Sequence, residues 1–380
     1  MKAMIYHGPN DIRYESKPDP RIEHDNDVIL RMSCAAICGS DLHLYHGLVP
    51  DTRVGHTFGH EFAGVVEEVG PSVRSVQRGD RLVVPFNISC GTCFFCARDL
   101  YGMCENTNPN SEIASGVFGY SHSTGGYDGG QAEYVRVPFA DVGPLKIPDD
   151  MDEEDVLFLS DIFPTGYQAA EMGGIEEGDT VVVLGSGPVG FFAQKSAMLM
   201  GAGRVIAVDQ EEYRLEFARA FSGAETVNFA ELDDPVRHIK EITGGRGADV
   251  VIDAVGLEAD GSAMHDFLGL VLKLEAGAAT AIDWAIHIVR KGGTVVLMGV
   301  YGPPWNMIPI GTAMNKGLTL RMAQCNTRRY MPHLLEHIRQ GLVDARAVIS
   351  HRLPLSDVSN AYETFEKRAD GCRKVVLRPD

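Results

Sequence analysis

Four cysteines fall within fifteen residues, in the pattern Cys90-x2-Cys93-x2-Cys96-x7-Cys104. Thiolates at that spacing, in a loop that also carries glycine, suit a closed tetrahedral zinc site with no open coordination position, so the expected role is structural. A redox-active CxxC pair would need a thioredoxin-like setting that the surrounding β-rich residues do not supply, and an iron–sulfur cluster is the minor alternative. A second constellation lies upstream, Cys38-Gly39-Ser40-Asp41-Leu42-His43 and then Gly59-His60-Glu61. Cys38 and His60 are donors that zinc accepts, and each has a glycine beside it that lets the backbone turn tightly. Either residue alone would pass for a buried cysteine or a satisfied surface histidine. Together with the glycine pattern of GHEFAGVVEEVG they point to a metal.

A third cluster is Gly185-Ser186-Gly187-Pro188-Val189-Gly190, directly after TVVVL and before FFAQKSAMLM. In a dinucleotide-binding turn Gly185 makes the bend, Gly187 leaves the pyrophosphate a side-chain-free approach, and Gly190 lets the helix pack close. Asp209 ends the next strand, nineteen residues beyond Gly190. A carboxylate there can accept hydrogen bonds from both adenosine ribose hydroxyls, whereas a 2′-phosphate would meet like charge, so the expected cofactor is NAD rather than NADP. Arg214 on the following helix works against that preference, and a helix cap is the competing role for Asp209.

Elements must hold these residues in place. The N-terminal third is rich in glycine and in short β-branched runs, DVIL, FAGVVEEV, RLVV and AEYVRV, which predict an antiparallel, partly barrel-like β domain. From about residue 165 the rhythm alternates between strand and helix, with apolar strands at 180–185, 204–209, 226–229, 249–256, 294–299 and 318–324. Six such strands predict an α/β domain with a doubly wound parallel sheet. The later MPHLLEHIRQGLV, a helix around residues 360–367 and KVVLRP are too short for a core of their own. They are expected to return to the first domain, giving a discontinuous domain of residues 1–163 and 324–380 around a second of residues 164–323. Residues 257–290 exceed a usual crossover and fit one long helix or two. An exposed strand such as TVVLMGVYG, near the end of the sheet, could pair between subunits.

A chain of 380 residues with 44% hydrophobic side chains can bury large cores, which excludes disorder and a collagen-like fibre. Its formal net charge of −18 repels phosphate backbones, so nucleic acid is not an expected partner. MKAMIYHGPN lacks the pattern of a secretory signal and no apolar run reaches membrane-spanning length, so a soluble, cytoplasmic protein without a membrane partner is expected. Eight cysteines in this length are too few for a disulfide scaffold.

GHEFAGVVEEVG fits the pattern GHE-x2-G-x5-G of the zinc alcohol dehydrogenases, and the four-cysteine lobe and dinucleotide fingerprint come after it in the family's order. Over essentially its whole length the chain resembles the medium-chain zinc-dependent alcohol dehydrogenases. The resemblance implies a GroES-like β-rich catalytic domain with both zinc sites, a Rossmann NAD-binding domain, and two zinc ions per chain, one catalytic and one structural. The catalytic zinc would be held by Cys38, His60 and a third residue near the domain junction. That residue is often a cysteine, but none occurs between Cys104 and Cys325; the matching segment LSDIFPTGY places Asp161 there. In this the chain is similar to the formaldehyde dehydrogenase and dismutase branch. A carboxylate donates less electron density than a thiolate, so the zinc would remain a somewhat stronger Lewis acid. An N-cap is the competing role for Asp161.

The resemblance further implies Glu61 as a nearby carboxylate, or a ligand exchanging with water and substrate. It implies Ser40 as acceptor of the alcohol proton and His43 as the residue that passes it to solvent through the cofactor ribose. Thr165 would lie beside the nicotinamide, Val255 and Gly256 after the fourth strand, and Arg373 near the pyrophosphate, with Lys374 as its possible substitute. Dimers or tetramers are usual in the family, so a homodimer or homotetramer is expected. The expected activity is NAD-dependent, zinc-dependent oxidation or reduction of a small alcohol/aldehyde pair. A formaldehyde dehydrogenase or dismutase with tightly held NAD is the alternative. A non-catalytic NAD-binding redox sensor is a remote one, since such a protein would be expected to have lost a ligand or relay residue. Substrate choice would rest on loops at 48–57, 112–130 and 301–306, with Phe86, Tyr120 and Trp305 narrowing the space.

Overall fold

The computed structural model describes residues 1–49, 51–110, 112–256, 278–300 and 308–380, which form two compact units, Met1–Pro164 with Gln324–Asp380, and Thr165–Ala323. Among these residues no helix is long and apolar enough to cross a membrane.

The second unit is built on a six-stranded sheet in the order Glu225–Asn228, Arg204–Asp209, Thr180–Leu184, Ala248–Asp253, Val289–Leu297, Thr319–Met322. Every neighbouring pair is parallel. The central strands are almost continuously Val and Ile, as burial on both faces requires. The first strand is at the centre and the order reverses there, so the sheet is doubly wound and its loops gather at the carboxyl ends of the strands. The strand part of TVVLMGVYG lies next to the edge of the sheet, as expected, but it is buried rather than exposed. The strand Val289–Leu297 is paired on both sides, and the outer position belongs to Thr319–Met322, where Thr319, Arg321 and Met322 are exposed. The apolar run marked an interior strand, and the charged, half-polar one an edge. Of residues 257–290, the part from 278 onward is the helix Ala278–Ile288 running into that strand, and 257–277 lie outside the described residues.

In the first unit the sheet runs His351–Pro354, Val375–Arg378, Val28–Ile37, Glu61–Val69, Arg81–Val84, Leu145–Lys146, with Tyr134–Val137 also paired to Val28–Ile37. All pairs are antiparallel except His351–Pro354 with Val375–Arg378. One face packs Val28, Leu30, Phe62, Val66, Leu82 and Val135 into a core. Strand register aligns the chain ends that carry the chemistry, because Ile37 lies opposite Val375 and Ala36 opposite Glu61. Three adjacent strands thus release Cys38, His60 and Lys374 at the same end of the sheet, although residue 374 is more than three hundred positions from the other two.

Candidate active site and metal centres

Cys38, His60, Glu61 and Asp161 each present a ligand atom within 4.8 Å of all the others, and all four are buried. Cys38 caps the helix Gly39–Tyr45, and Asp41 at its third position closes a capping box by accepting the Cys38 N–H at 3.0 Å. The cap therefore fixes the sulfur where the strand Val28–Ile37 ends. Asp161 stands between the short helical turn Leu157–Ser160 and the helix Ile162–Gly173. Its Oδ2 lies 3.9 Å from Cys38 Sγ and 3.3 Å from His60 Nε2. Ser40 Oγ is 4.0 Å from Cys38 Sγ, and His43 is one helical turn further on with only 8% of its surface exposed. The ring of Phe86 meets His60 edge-on at 6.1 Å, whereas Tyr120 packs against a neighbouring core cluster that contains Phe58. Trp305 and residues 301–306 lie outside the described residues.

Two residues here escaped sequence reasoning. Asp41 Oδ1 is 3.2 Å from His60 Nδ1, the carboxylate–imidazole contact that orients a ligating histidine. Lys374, weighed from the sequence as a pyrophosphate contact, is instead fully buried with Nζ 2.6 Å from Glu61 Oε1. Burial opposes the ammonium charge, but the Glu61 carboxylate outweighs it and holds the Lys374 pKa above its ordinary value. Arg373 donates its backbone N–H to Ser350 Oγ at 2.9 Å. Glu61 Oε2 is buried with no hydrogen-bond partner. An orphaned carboxylate oxygen beside a thiol, an imidazole and a second carboxylate is what a cation would satisfy. Burial also pushes the Cys38 thiol up, so a metal is the natural agent of its ionisation. The donor set fits zinc.

The Lys374–Glu61 pair gives a prediction on stability. In the metal-free protein, replacing Lys374 by methionine leaves Glu61 as an uncompensated buried carboxylate, a change expected to cost about 3–5 kcal/mol. Urea unfolding should show that loss, and Lys374→Met/Glu61→Leu should recover much of it.

The four lobe cysteines are likewise buried with their sulfurs mutually within 4.8 Å. Two short helical turns, Cys96–Arg98 and Tyr101–Met103, bend the chain between them. Backbone N–H groups point at the sulfurs: Cys90 to Cys104 Sγ at 3.3 Å, Cys96 to Cys93 Sγ at 3.4 Å and Thr92 to Cys90 Sγ at 3.5 Å. Burial pushes the Cys90 thiol up, but the N–H groups of Thr92 and Cys93 prevail and bring it down to about 6. Four convergent sulfurs cradled by N–H donors fit a closed structural zinc.

In the second unit the fingerprint residues meet at the carboxyl end of the sheet. Gly185 has φ +89°, and a Cβ there would lie 2.7 Å from Val255 Cγ2; one on Gly190 would lie 2.0 Å from the Gly185 carbonyl oxygen. Around Gly187 the nearest atom to an added Cβ is Arg214 Nη1 at 4.0 Å, so the space above that turn is open. Pro188 opens the helix Pro188–Leu199 with its fixed φ, with Val189 next. Asp209 Oδ2 accepts from Ser186 N–H at 2.7 Å and Oδ1 from Gln210 and Glu211 N–H at 2.8 and 2.9 Å. A carboxylate has about four acceptor positions, so the Oδ2 side retains capacity for a hydroxyl. Arg214 Nη1 stands 3.9 Å from that oxygen. Val255 and Gly256 donate their N–H groups to buried Asp253 Oδ1 at 2.9 and 3.3 Å, and Thr165 is buried at the start of the unit.

Comparison with known proteins agrees with this architecture. Residues 24–149 match the alcohol dehydrogenase GroES-like domain and residues 188–271 the zinc-binding dehydrogenase domain. The chain is 46% identical to a zinc-type alcohol dehydrogenase-like protein of Bacillus subtilis over the full length of both. It is 39% identical to formaldehyde dismutase of Pseudomonas putida, covering all of this chain and 97% of that one. Among solved structures, alcohol dehydrogenase TADH from Thermus sp. ATN1 superposes with a TM-score of 0.85 at 36% identity, with both chains fully covered.

Proposed function

The chain belongs to the medium-chain zinc-dependent alcohol dehydrogenase family, and on that premise we propose that it transfers a hydride between an alcohol/aldehyde pair and NAD. The observation that carries this reading is the convergence of the Cys38, His60 and Asp161 donors beside the orphaned oxygen of Glu61. Zinc in that site would act as a Lewis acid on the substrate oxygen and lower the pKa of its hydroxyl, and NAD would supply the hydride acceptor. Cys38, His60 and Asp161 would hold the catalytic ion, and Cys90, Cys93, Cys96 and Cys104 a structural one. Ser40, beside the Cys38 sulfur, accepts the hydroxyl proton. His43, three residues along the same helix and so on the same face, passes it outward. The helix Pro188–Leu199 offers its N-terminus to the pyrophosphate across Gly185, Gly187 and Gly190, and Asp209 takes the adenosine ribose. Thr165, Val255, Gly256 and Arg373 complete the proposed cofactor contacts. Family membership also supports a cytoplasmic homodimer or homotetramer.

A panel of small alcohols and aldehydes with NAD and NADP, with and without a chelator, tests the reading. Zinc-dependent NADH formation is expected, and its absence across the panel would refute it. Asp209→Asn keeps the side chain's size and removes its charge. It is expected to weaken NAD about tenfold, one charge-assisted hydrogen bond, and to shift the ratio of kcat/KM values toward NADP, with Arg214 available to a 2′-phosphate. A wild-type preference for NADP would overturn the role of Asp209. The second reading, a formaldehyde dismutase or dehydrogenase, is favoured by Asp161 and by the similarity to the Pseudomonas putida dismutase. NAD that stays with the protein through desalting would decide for it.

A further inference from the structure

We propose that Gln131 and Tyr362 are positioning residues for the metal ligand His60, acting through a directed chain of hydrogen bonds that converges on Asp41. The inference rests on the assignment of the Cys38 site to a metal. Tyr362 donates its hydroxyl hydrogen to Gln131 Oε1 at 2.9 Å, and Gln131 Nε2 donates to Asp41 Oδ2 at 3.3 Å. Asp41 Oδ1 faces His60 Nδ1 at 3.2 Å, while Oδ2 also accepts the Cys38 N–H. Tyr362, Gln131 and Asp41 have no exposed surface at all, and His60 has 3%.

Each link has one sense. A carboxylate only accepts, so Gln131 must turn its NH2 toward Asp41 and its carbonyl away. That carbonyl, buried, then requires a donor, and the Tyr362 hydroxyl supplies it. Burial pushes the Tyr362 phenol well above its ordinary range, so the hydrogen stays in place. A reversed amide would set Oε1 against the Asp41 carboxylate; the phenol's donated bond selects against that state. With a metal on Nε2, the atom that faces Asp161 and Cys38, the same accept-only rule would place the ring hydrogen on Nδ1, toward Asp41. The helix Val358–Glu366, which carries Tyr362, thereby helps to set the tautomer and ring plane of a ligand three side chains away.

The test uses the full-length chain loaded with cobalt(II) in both metal sites, whose four-sulfur and mixed nitrogen, oxygen and sulfur environments absorb differently. Release to excess chelator is tracked at each signature. Gln131→Met and Tyr362→Phe are each expected to speed release from the Cys38 site roughly tenfold, the low end for groups that orient a ligand, with the four-cysteine site unchanged. Because the two residues act in series, the double variant should match Gln131→Met alone. No change at the Cys38 site, equal acceleration at both sites, or additive effects in the double variant would overturn the proposal. If Tyr362→Phe fails to fold, Gln131→Met, close to it in volume, carries the test by itself. A wild-type chain that takes up cobalt only in the four-cysteine site would instead overturn the metal-site reading beneath it.

Discussion

Replacing Asp161 by alanine is expected to lower turnover by about 10³-fold or more, and to reduce bound zinc from two ions per chain to one, while leaving the fold intact. The magnitude comes from the several kcal/mol that a Lewis-acidic metal contributes to transition-state charge stabilisation, at 1.36 kcal/mol for each tenfold in rate. The selectivity comes from geometry. Asp161 Oδ2 is within 3.9 Å of Cys38 Sγ and within 3.3 Å of His60 Nε2. Its loss leaves Cys38 and His60, with Glu61 already engaged by Lys374 through Oε1. Asp161→Cys separates ligation from mere charge. A thiolate there should retain the second zinc but, donating more electron density, should leave a weaker Lewis acid and an intermediate rate. Metal content by mass spectrometry and kcat on the best alcohol measure both. An Asp161→Ala protein with two zinc ions and near-wild-type turnover would remove Asp161 from the ligand set and restore the helix-capping role.

The sequence carried most of the fold because its periods were clean. Near-continuous Val and Ile in TVVVL, RVIAVD and DVVID could hardly belong to anything but interior parallel strands, and the glycines at 185, 187 and 190 had a stated spatial reason at each position. Register was another matter. Nothing in the residue pattern says that Ala36 faces Glu61 or that Ile37 faces Val375, and those two pairings bring Lys374 to Glu61 across 313 positions. A lone lysine before an apolar strand looks solvated in sequence; only the pairing buries it. Asp41 did leave a local trace, since Cys38-x2-Asp41 is the spacing of a capping box. Its second contact, to His60, depends on the same strand pairing. The expected exposure of TVVLMGVYG fails for the opposite reason: its Val and Leu residues reflect burial on both faces of an interior strand.

Cys104→Ser should show the inverse signature to Asp161→Ala: the loss of one zinc with a collapse in stability, and with the chemistry at Cys38 affected only through unfolding. The lobe from Cys90 to Cys104 has little else to hold it. Its regular structure is two three-residue turns, and the apolar groups packed on its sulfurs are Phe95, Tyr101 and Phe139. A structural zinc contributes about 10–16 kcal/mol of apparent binding free energy at neutral pH, far more than three partly buried rings can replace. A serine hydroxyl is neutral and a poor ligand, so the three remaining thiolates would lose the closed tetrahedron. The lobe is also tied to the returning C-terminal segment by Gly102 N–H to Asn326 Oδ1 at 3.1 Å, and the strand just before it by Asn87 Nδ2 to the Cys325 carbonyl. Loosening it should therefore reach beyond fifteen residues. The expected result is a fall in Tm of about 10 °C or more and new protease cleavage within 90–104, while cobalt in the Cys38 site of the still-folded fraction keeps its wild-type spectrum. A Cys104→Ser chain that melts with the wild type, or one that loses turnover in a fully folded state, would show that the lobe serves the reaction rather than the fold.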